Sequence, residues 1–123
     1  MGAASFFWCE MIPADLSFHD ATIAAIRREG TSTILDVEDV AVKHGEDVIN
    51  GTLTFEDVRR VLVDGREAPE LTMAGDDGEI LELEELPGPM IRMFVIWTHY
   101  ASHDEAQNLY LIECKGMRWE ASE

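Results

Sequence analysis

The sequence predicts a mainly β protein, an antiparallel β-sandwich or half-open barrel of six to seven strands with little helix. Three observations carry this. Short segments alternating apolar and polar residues recur along the chain. Turn signals separate them: the spacer over residues 27–32, Asp64-Gly65, Pro87-Gly88-Pro89 and Lys115-Gly116. No stretch sustains the apolar period of a long helix. At 123 residues the chain is read as a single β-rich domain, residues 1–123, long enough to bury about two-thirds of its unfolded surface without a metal or a disulfide.

Taken in order, residues 1–17 form a lead-in whose Phe6, Phe7 and Trp8 are too apolar to leave in water and are expected to pack on the body as a short edge strand ended by Pro13. Residues 20–29 admit two readings. Asp20 as an N-cap, Ile23 and Ile26 at i, i+3 and Gly30 beyond would make a short helix. No second apolar turn follows Ile26, which favours a strand with Ala21, Ile23 and Ala25 on one face and Thr22, Ala24 and Ile26 on the other. Leu35, Val37 and Asp39 alternate with Ile34, Asp36, Glu38 and Val40 as a half-buried strand, and residues 44–47 turn the chain. Leu53 and Phe55 lie in phase on the next strand, but Val58, Val61 and Val63 fall out of step. A bulge near Glu56-Asp57 would restore the phase; a helix over 54–62 is the alternative. Asp76-Asp77-Gly78 reads as a turn before an acidic-faced strand at 80–84. Residues 90–99 are the most apolar piece and the expected central strand, buried on both faces. Residues 100–107 read as a loop, and two strands follow, at 108–114 and 117–120.

Charge sets the partner class. Twenty-five acids against nine bases give a net charge of −16. Such a chain repels phosphate, and its bases do not cluster beyond Arg27-Arg28 and Arg59-Arg60, so no nucleic acid and no anionic membrane surface is expected as partner. A basic protein partner is favoured, because opposite charge speeds encounter. Residues 64–85 concentrate nine of the acids against Arg66 alone; Asp76, Asp77, Glu79, Glu82 and Glu84 are the candidate partner-binding residues. Acidity for solubility alone is the plain alternative. The first ten residues lack a basic n-region, no apolar run reaches a membrane span, and Cys9 and Cys114 form no CxxC pair, so a cytoplasmic protein with buried, inert thiols is expected. Exposed strand edges leave a homodimer open.

Candidate chemistry is sparse. His19-Asp20 invites comparison with HD metal hydrolases, which need further ligands on several helices. A structural role, with Asp20 accepting backbone N–H groups or orienting the imidazole, fits a strand start better. His99 and His103, with Asp104 next, have the i, i+4 spacing that binds zinc on a helix, but the preceding residues read as strand and the glutamate of HExxH is missing. His19, Asp20, His99, His103 and Asp104 form a possible site cluster only if they converge. Asp76, Asp77 and Glu79 lack the spacing of a calcium loop. No catalytic residue, metal site or cofactor is assigned, since nucleophile elbow, P-loop and dinucleotide motifs are all absent. Trp97, His99 and Tyr100 with Trp119 could form an aromatic contact patch, against core packing of Trp97.

The pattern F-H-D-A-x-I at residues 18–23, G-x-L-x-F-x-x-V at 51–58 and D-G-E-I-L-x-L at 77–83 resembles small bacterial proteins of uncharacterised domain families that open on an H-D-[AS]-x-[IL] strand. Some of those resemble immunity proteins of polymorphic toxin systems. The resemblance implies a β-rich domain without established enzyme chemistry that binds and blocks a toxin, and many nuclease toxins are basic. The reading favoured here is a non-enzymatic acidic protein-binding domain, an immunity-type inhibitor of a basic toxin. The alternatives are a small metal-dependent hydrolase using the histidine cluster, and a β-barrel enclosing an apolar ligand around residues 90–97.

Overall fold

In the computed structural model, which describes residues 16–42 and 47–122, every regular element is a strand. They are β1 Leu16–Ser17, β2 Thr22–Glu29, β3 Ser32–Val42, β4 Val48–Glu56, β5 Arg60–Val63, β6 Arg66–Ala68, β7 Asp77–Leu86, β8 Met90–His99, β9 Asp104–Glu113 and β10 Gly116–Ala121. All pair antiparallel in one sheet of order β10-β4-β3-β2-β7-β8-β9-β5-β6, with β1 on β3, and the sheet is not closed into a barrel. The mainly β class expected from the sequence is thus observed, with ten strands in place of six or seven. The surplus comes from β1 and from residues 60–68, which form a hairpin of their own. No helix of the described residues is long and apolar enough to cross a membrane. The expected packing of Phe6, Phe7 and Trp8, the state of Cys9 and most of the turn at 44–47 lie outside the described residues.

The sheet has two halves. In the first, β10, β4, β3 and β2 pair over long registers; in the second, β7, β8 and β9 do so, with β5 and β6 added by shorter ladders. Between them, β2 and β7 share only Thr22↔Glu79 and Ile23↔Gly78. One core draws on both halves: Ile23, Leu35, Val37, Leu53 and Phe55 from the first, Ile80, Met93, Val95, Trp97 and Ile112 from the second, all essentially solvent-free.

Strand 22–29 is formed, and the helix alternative is not. The face assignment changes, however, because a bulge between Ile23 and Ala25 shifts the phase, so Ile23 and Ile26 both pack on the core. The same device acts in β3 between Val37 and Val40, both buried, and in β7 between Ile80 and Glu82, which turns Ile80 and Leu83 inward together. Val40 therefore sits with Leu35 and Val37, not opposite them. Each extra residue also sharpens the local bend. The break after Phe55 is neither helix nor bulge. The chain leaves β4 at Glu56, passes a corner at Asp57 (φ 51°) and starts β5 on a different neighbour, β9. Bonds from Arg59 N to Glu113 O and from Lys115 N to Glu56 O, 2.8 and 2.7 Å, hold the corner.

Three further expectations are corrected. Asp77 and Gly78 already belong to β7 because they pair with Thr98 and Trp97, so only Asp76 lies in the bend. The loop after β8 is residues 100–103, since Asp104 pairs with His99. Strand β8 buries one face only: Ile91, Met93, Val95 and Trp97 point into the core, while Met90, Arg92, Phe94, Ile96 and Thr98 remain half-exposed.

Candidate functional site

The outer face of the second half carries an apolar stripe bordered by acids. Residues paired across antiparallel strands share a face. Phe94 pairs with Leu109, Ile96 with Gln107, Arg92 with Leu111, and Leu111 with Leu62 on β5. Leu62, Met90, Phe94, Ile96, Leu109 and Leu111 are all half-buried, and none belongs to the core or to the partly buried side chains packed against it. On β7 the same face shows Glu79, Glu82 and Glu84, paired with Ile96, Phe94 and Arg92. On the far side, Glu105 and Glu113 pair with Thr98 and Met90. Arg92 donates to Glu82 and, at 3.3 Å, to Glu84. The Glu82 hydrogen bond raises the guanidinium pKa beyond its usual value, so this charge is permanent.

The five candidate contact acids thus sit along one strand and its entry, already engaged. Asp76 accepts the Tyr100 N–H at 2.6 Å and Asp77 accepts the Tyr100 hydroxyl, which lifts the phenol pKa above its ordinary value. Glu79 shares a hydrogen bond with Asp20, and that bond, with some desolvation, raises the Glu79 pKa.

His19 and Asp20 occupy the turn from β1 to β2. Ala21 N donates to Phe18 O at 3.1 Å, and Asp20 takes φ 71°, as the third position of a type II turn requires. The turn docks on β7: Asp20 N donates to Ile80 O and Ile80 N to Ala21 O, at 2.7 and 2.8 Å. His19 Nδ1–H donates to the Leu81 carbonyl at 2.7 Å, with Asp20 Oδ1 3.5 Å from Nε2. The Leu81 carbonyl, then the Asp20 carboxylate, raise the imidazole pKa above its ordinary value. The Leu81 carbonyl thus holds the imidazole, while the Asp20 carboxylate stands beside its other nitrogen and hydrogen-bonds Glu79.

The wider histidine cluster does not assemble. His19 sits at Leu81, whereas His99 and Asp104 close the β8–β9 hairpin and His103 (φ 59°) lies in its loop. Among the described residues, no group of three or more His, Cys, Asp or Glu side chains is arranged to hold a metal ion. Nor does the aromatic patch form as one surface. Trp97 is buried, with Nε1 donating to Tyr110 OH at 2.8 Å; Trp119 packs edge-on to Phe18 at 5.2 Å; Tyr100 stands 57% exposed. Met93 and Trp97, offered as ligand-lining residues, are part of the packed core.

Sequence reasoning missed the stripe, although a signal for it was present. Strands β8 and β9 are apolar at successive positions, Phe94 to Trp97 and Leu109 to Ile112, so each has two apolar faces and the core can cover only one. A groove of about 650 Å³ beside β7, lined by Leu16, Ser17, Phe18 and His19 on one wall and residues 81–84 with Arg92 on the other, was also not foreseen. Comparison with protein-family models, curated proteins and solved structures finds no match to the chain.

Proposed function

We propose that the chain is an acidic protein-binding domain that docks a basic partner on the outer face of β7, β8 and β9. The observation that carries this is the half-buried apolar stripe, Phe94, Ile96, Leu109 and Leu111, which among the described residues lies outside the core and runs beside the row Glu79, Glu82 and Glu84. Interfaces combine a desolvated apolar centre with a charged rim that sets partner choice and encounter rate. The net charge of −16 directs that choice to a basic protein. Inhibition of a basic toxin, in the manner of an immunity protein, is the role within this class that the resemblance at residues 18–23, 51–58 and 77–83 favours.

The test uses the intact chain as bait, with proteins retained from the native lysate purified and re-measured. Glu82→Lys with Glu84→Lys should slow association roughly tenfold or more at low salt and little at high salt. Phe94→Asp should speed dissociation at every salt concentration. A retained protein that binds both variants as it binds the parent chain removes this face from the function.

A further inference from the structure

We infer that the groove beside β7 is a slot for an extended segment of the basic partner, which adds a strand to the open edge of β7. This rests on the reading that the partner is a basic protein and says how part of it is held. The pairing of β7 with β2 ends at Glu79, and Ile80 spends its N–H and C=O on the 20–21 turn. The ladder with β8 nevertheless continues to Leu86↔Met90. From Leu81 to Leu86 one edge of β7 therefore has no strand beside it among the described residues.

Antiparallel residues alternate between facing one neighbour and the other. Ile80 faces β2, and the bulged Leu81 gives its carbonyl to His19 on that same side. Past the bulge, Glu82 faces β8, which directs the backbone groups of Leu83 and Glu85 into the slot. The edge spans about 17 Å at the usual strand rise, and β1 forms the opposite wall, with Leu16 and Phe18 buried at its base.

Charge complementarity identifies the occupant. Glu82 and Glu84 rim the slot, with Asp20 and Glu79 at its His19 end, and the lining cation, Arg92, is already held by Glu82 and Glu84. Leu83 and Leu16 lie toward the floor. A segment alternating apolar and basic residues matches both: apolar side chains inward, Lys or Arg outward to the rim. Backbone pairing supplies affinity and alternate side chains supply selection, as in other strand-addition sites. A second copy of this chain fits worse, because its own edge would bring acids against acids.

The probe is an end-capped octapeptide of alternating valine and lysine, with a valine–glutamate octapeptide as control. Site-resolved hydrogen exchange on the intact chain should show the Leu83 and Glu85 amides slowing at least tenfold with the lysine peptide and not with the control. Glu85→Pro deletes one slot-facing N–H without touching the β8 ladder, and should weaken lysine-peptide binding by about tenfold, the size of one or two backbone hydrogen bonds. Peptide binding without protection at Leu83 and Glu85, no binding, or protection already present in the free monomer would each overturn the slot. A free dimer dissolved by Glu85→Pro would assign the edge to a second copy instead. A natural partner weakened by Phe94→Asp but indifferent to Glu85→Pro would leave the binding domain standing and remove the slot alone.

Discussion

Gly78→Ala tests how the two halves of the sheet are joined. Gly78 lies in one of the two residue pairs that connect β2 to β7, and its other neighbour is Trp97. A Cβ at Gly78 would stand 2.7 Å from Trp97 Cε3, 2.7 Å from Cζ3 and 2.7 Å from Val95 Cγ1. Carbon atoms settle at about 3.5–4.0 Å, so the ring must recede by roughly 1 Å. It has nowhere to go. Trp97 is solvent-free, packs edge-on to Tyr110 at 6.4 Å and donates to the Tyr110 hydroxyl at 2.8 Å, a bond that such a shift would break. Overpacking costs about 1–3 kcal/mol, and a buried indole N–H left without a partner costs about 1–3 kcal/mol more. The reduced freedom of the unfolded chain offsets about 0.5–1 kcal/mol. The expected net loss is about 1–5 kcal/mol, centred on about 3 kcal/mol, read as a lower urea midpoint at constant m, or at that centre a fall in Tm of roughly 10–18 °C. Placing Gly78→Ala in a Trp97→Leu background removes the obstacle, so its cost should drop by at least about 1 kcal/mol. A cost within about 0.5 kcal/mol of zero, or one unchanged in the Trp97→Leu background, would refute the steric account.

Three other outcomes are expected. Burial pushes the Cys114 thiol up to about 12, so with Cys9→Ser in place the native chain should resist alkylation at pH 8 and react only once unfolded. The His19 pKa is raised in the fold, so its contribution is complete below the unfolded value near 6.5 and fades as pH climbs through the folded value. An NMR titration should place its midpoint above the ordinary value, and Asp20→Asn should lower it; no movement would dissolve the His19–Asp20 contact. Glu79 is likewise raised, by Asp20, so its favourable contribution exists below about pH 4.5 and is lost at neutral pH, where the two carboxylates repel. Glu79→Gln should therefore stabilise the chain at pH 7 and confer no such gain at pH 4, measured by urea midpoints.

Strand positions were legible in the sequence; curvature was not. Alternation located β3 and β7, apolar runs between turn signals located β8 and β9, and Pro87-Gly88-Pro89 and Asp64-Gly65 do form the hairpin ends the composition implied. What alternation hides is a bulge. Ile23/Ile26, Val37/Val40 and Ile80/Leu83 each stand three apart yet face the same core, because one residue between them drops out of register. Spacing of that kind imitates a helical turn, and so residues 20–29 admitted a helix. The thin splice of β2 to β7, the pairing of β10 with β4 and the slot beside β7 depend on where the chain bends, information that no local pattern holds. His19 and Asp20 were legible as a strand-start device, but their partners Leu81 and Glu79 lie about sixty residues away.

The acids divide into two populations, and the division bears on what the charge is for. Asp20, Asp39, Asp57 and Asp64 take positive φ at a turn, a bulge, a corner and a hairpin, where aspartate is tolerated better than most side chains. Asp36, Glu56, Glu67 and Glu70 each hold an arginine across the surface, at 2.8, 2.8, 2.9 and 3.0 Å. Part of the net charge is thus explained by chain geometry and local pairing, without a partner. The row on β7 is different. Glu82 and Glu84 share a single arginine, Glu79 shares a proton-dependent bond with another carboxyl, and all three border apolar side chains that the core does not use. Solubility alone would scatter acids and would not set them beside Phe94, Ile96, Leu109 and Leu111, half-buried side chains outside the core of the described residues. An incoming lysine or arginine gains most where acid outnumbers base and where docking also removes apolar surface from water. Both conditions meet on the outer face of β7 and β8.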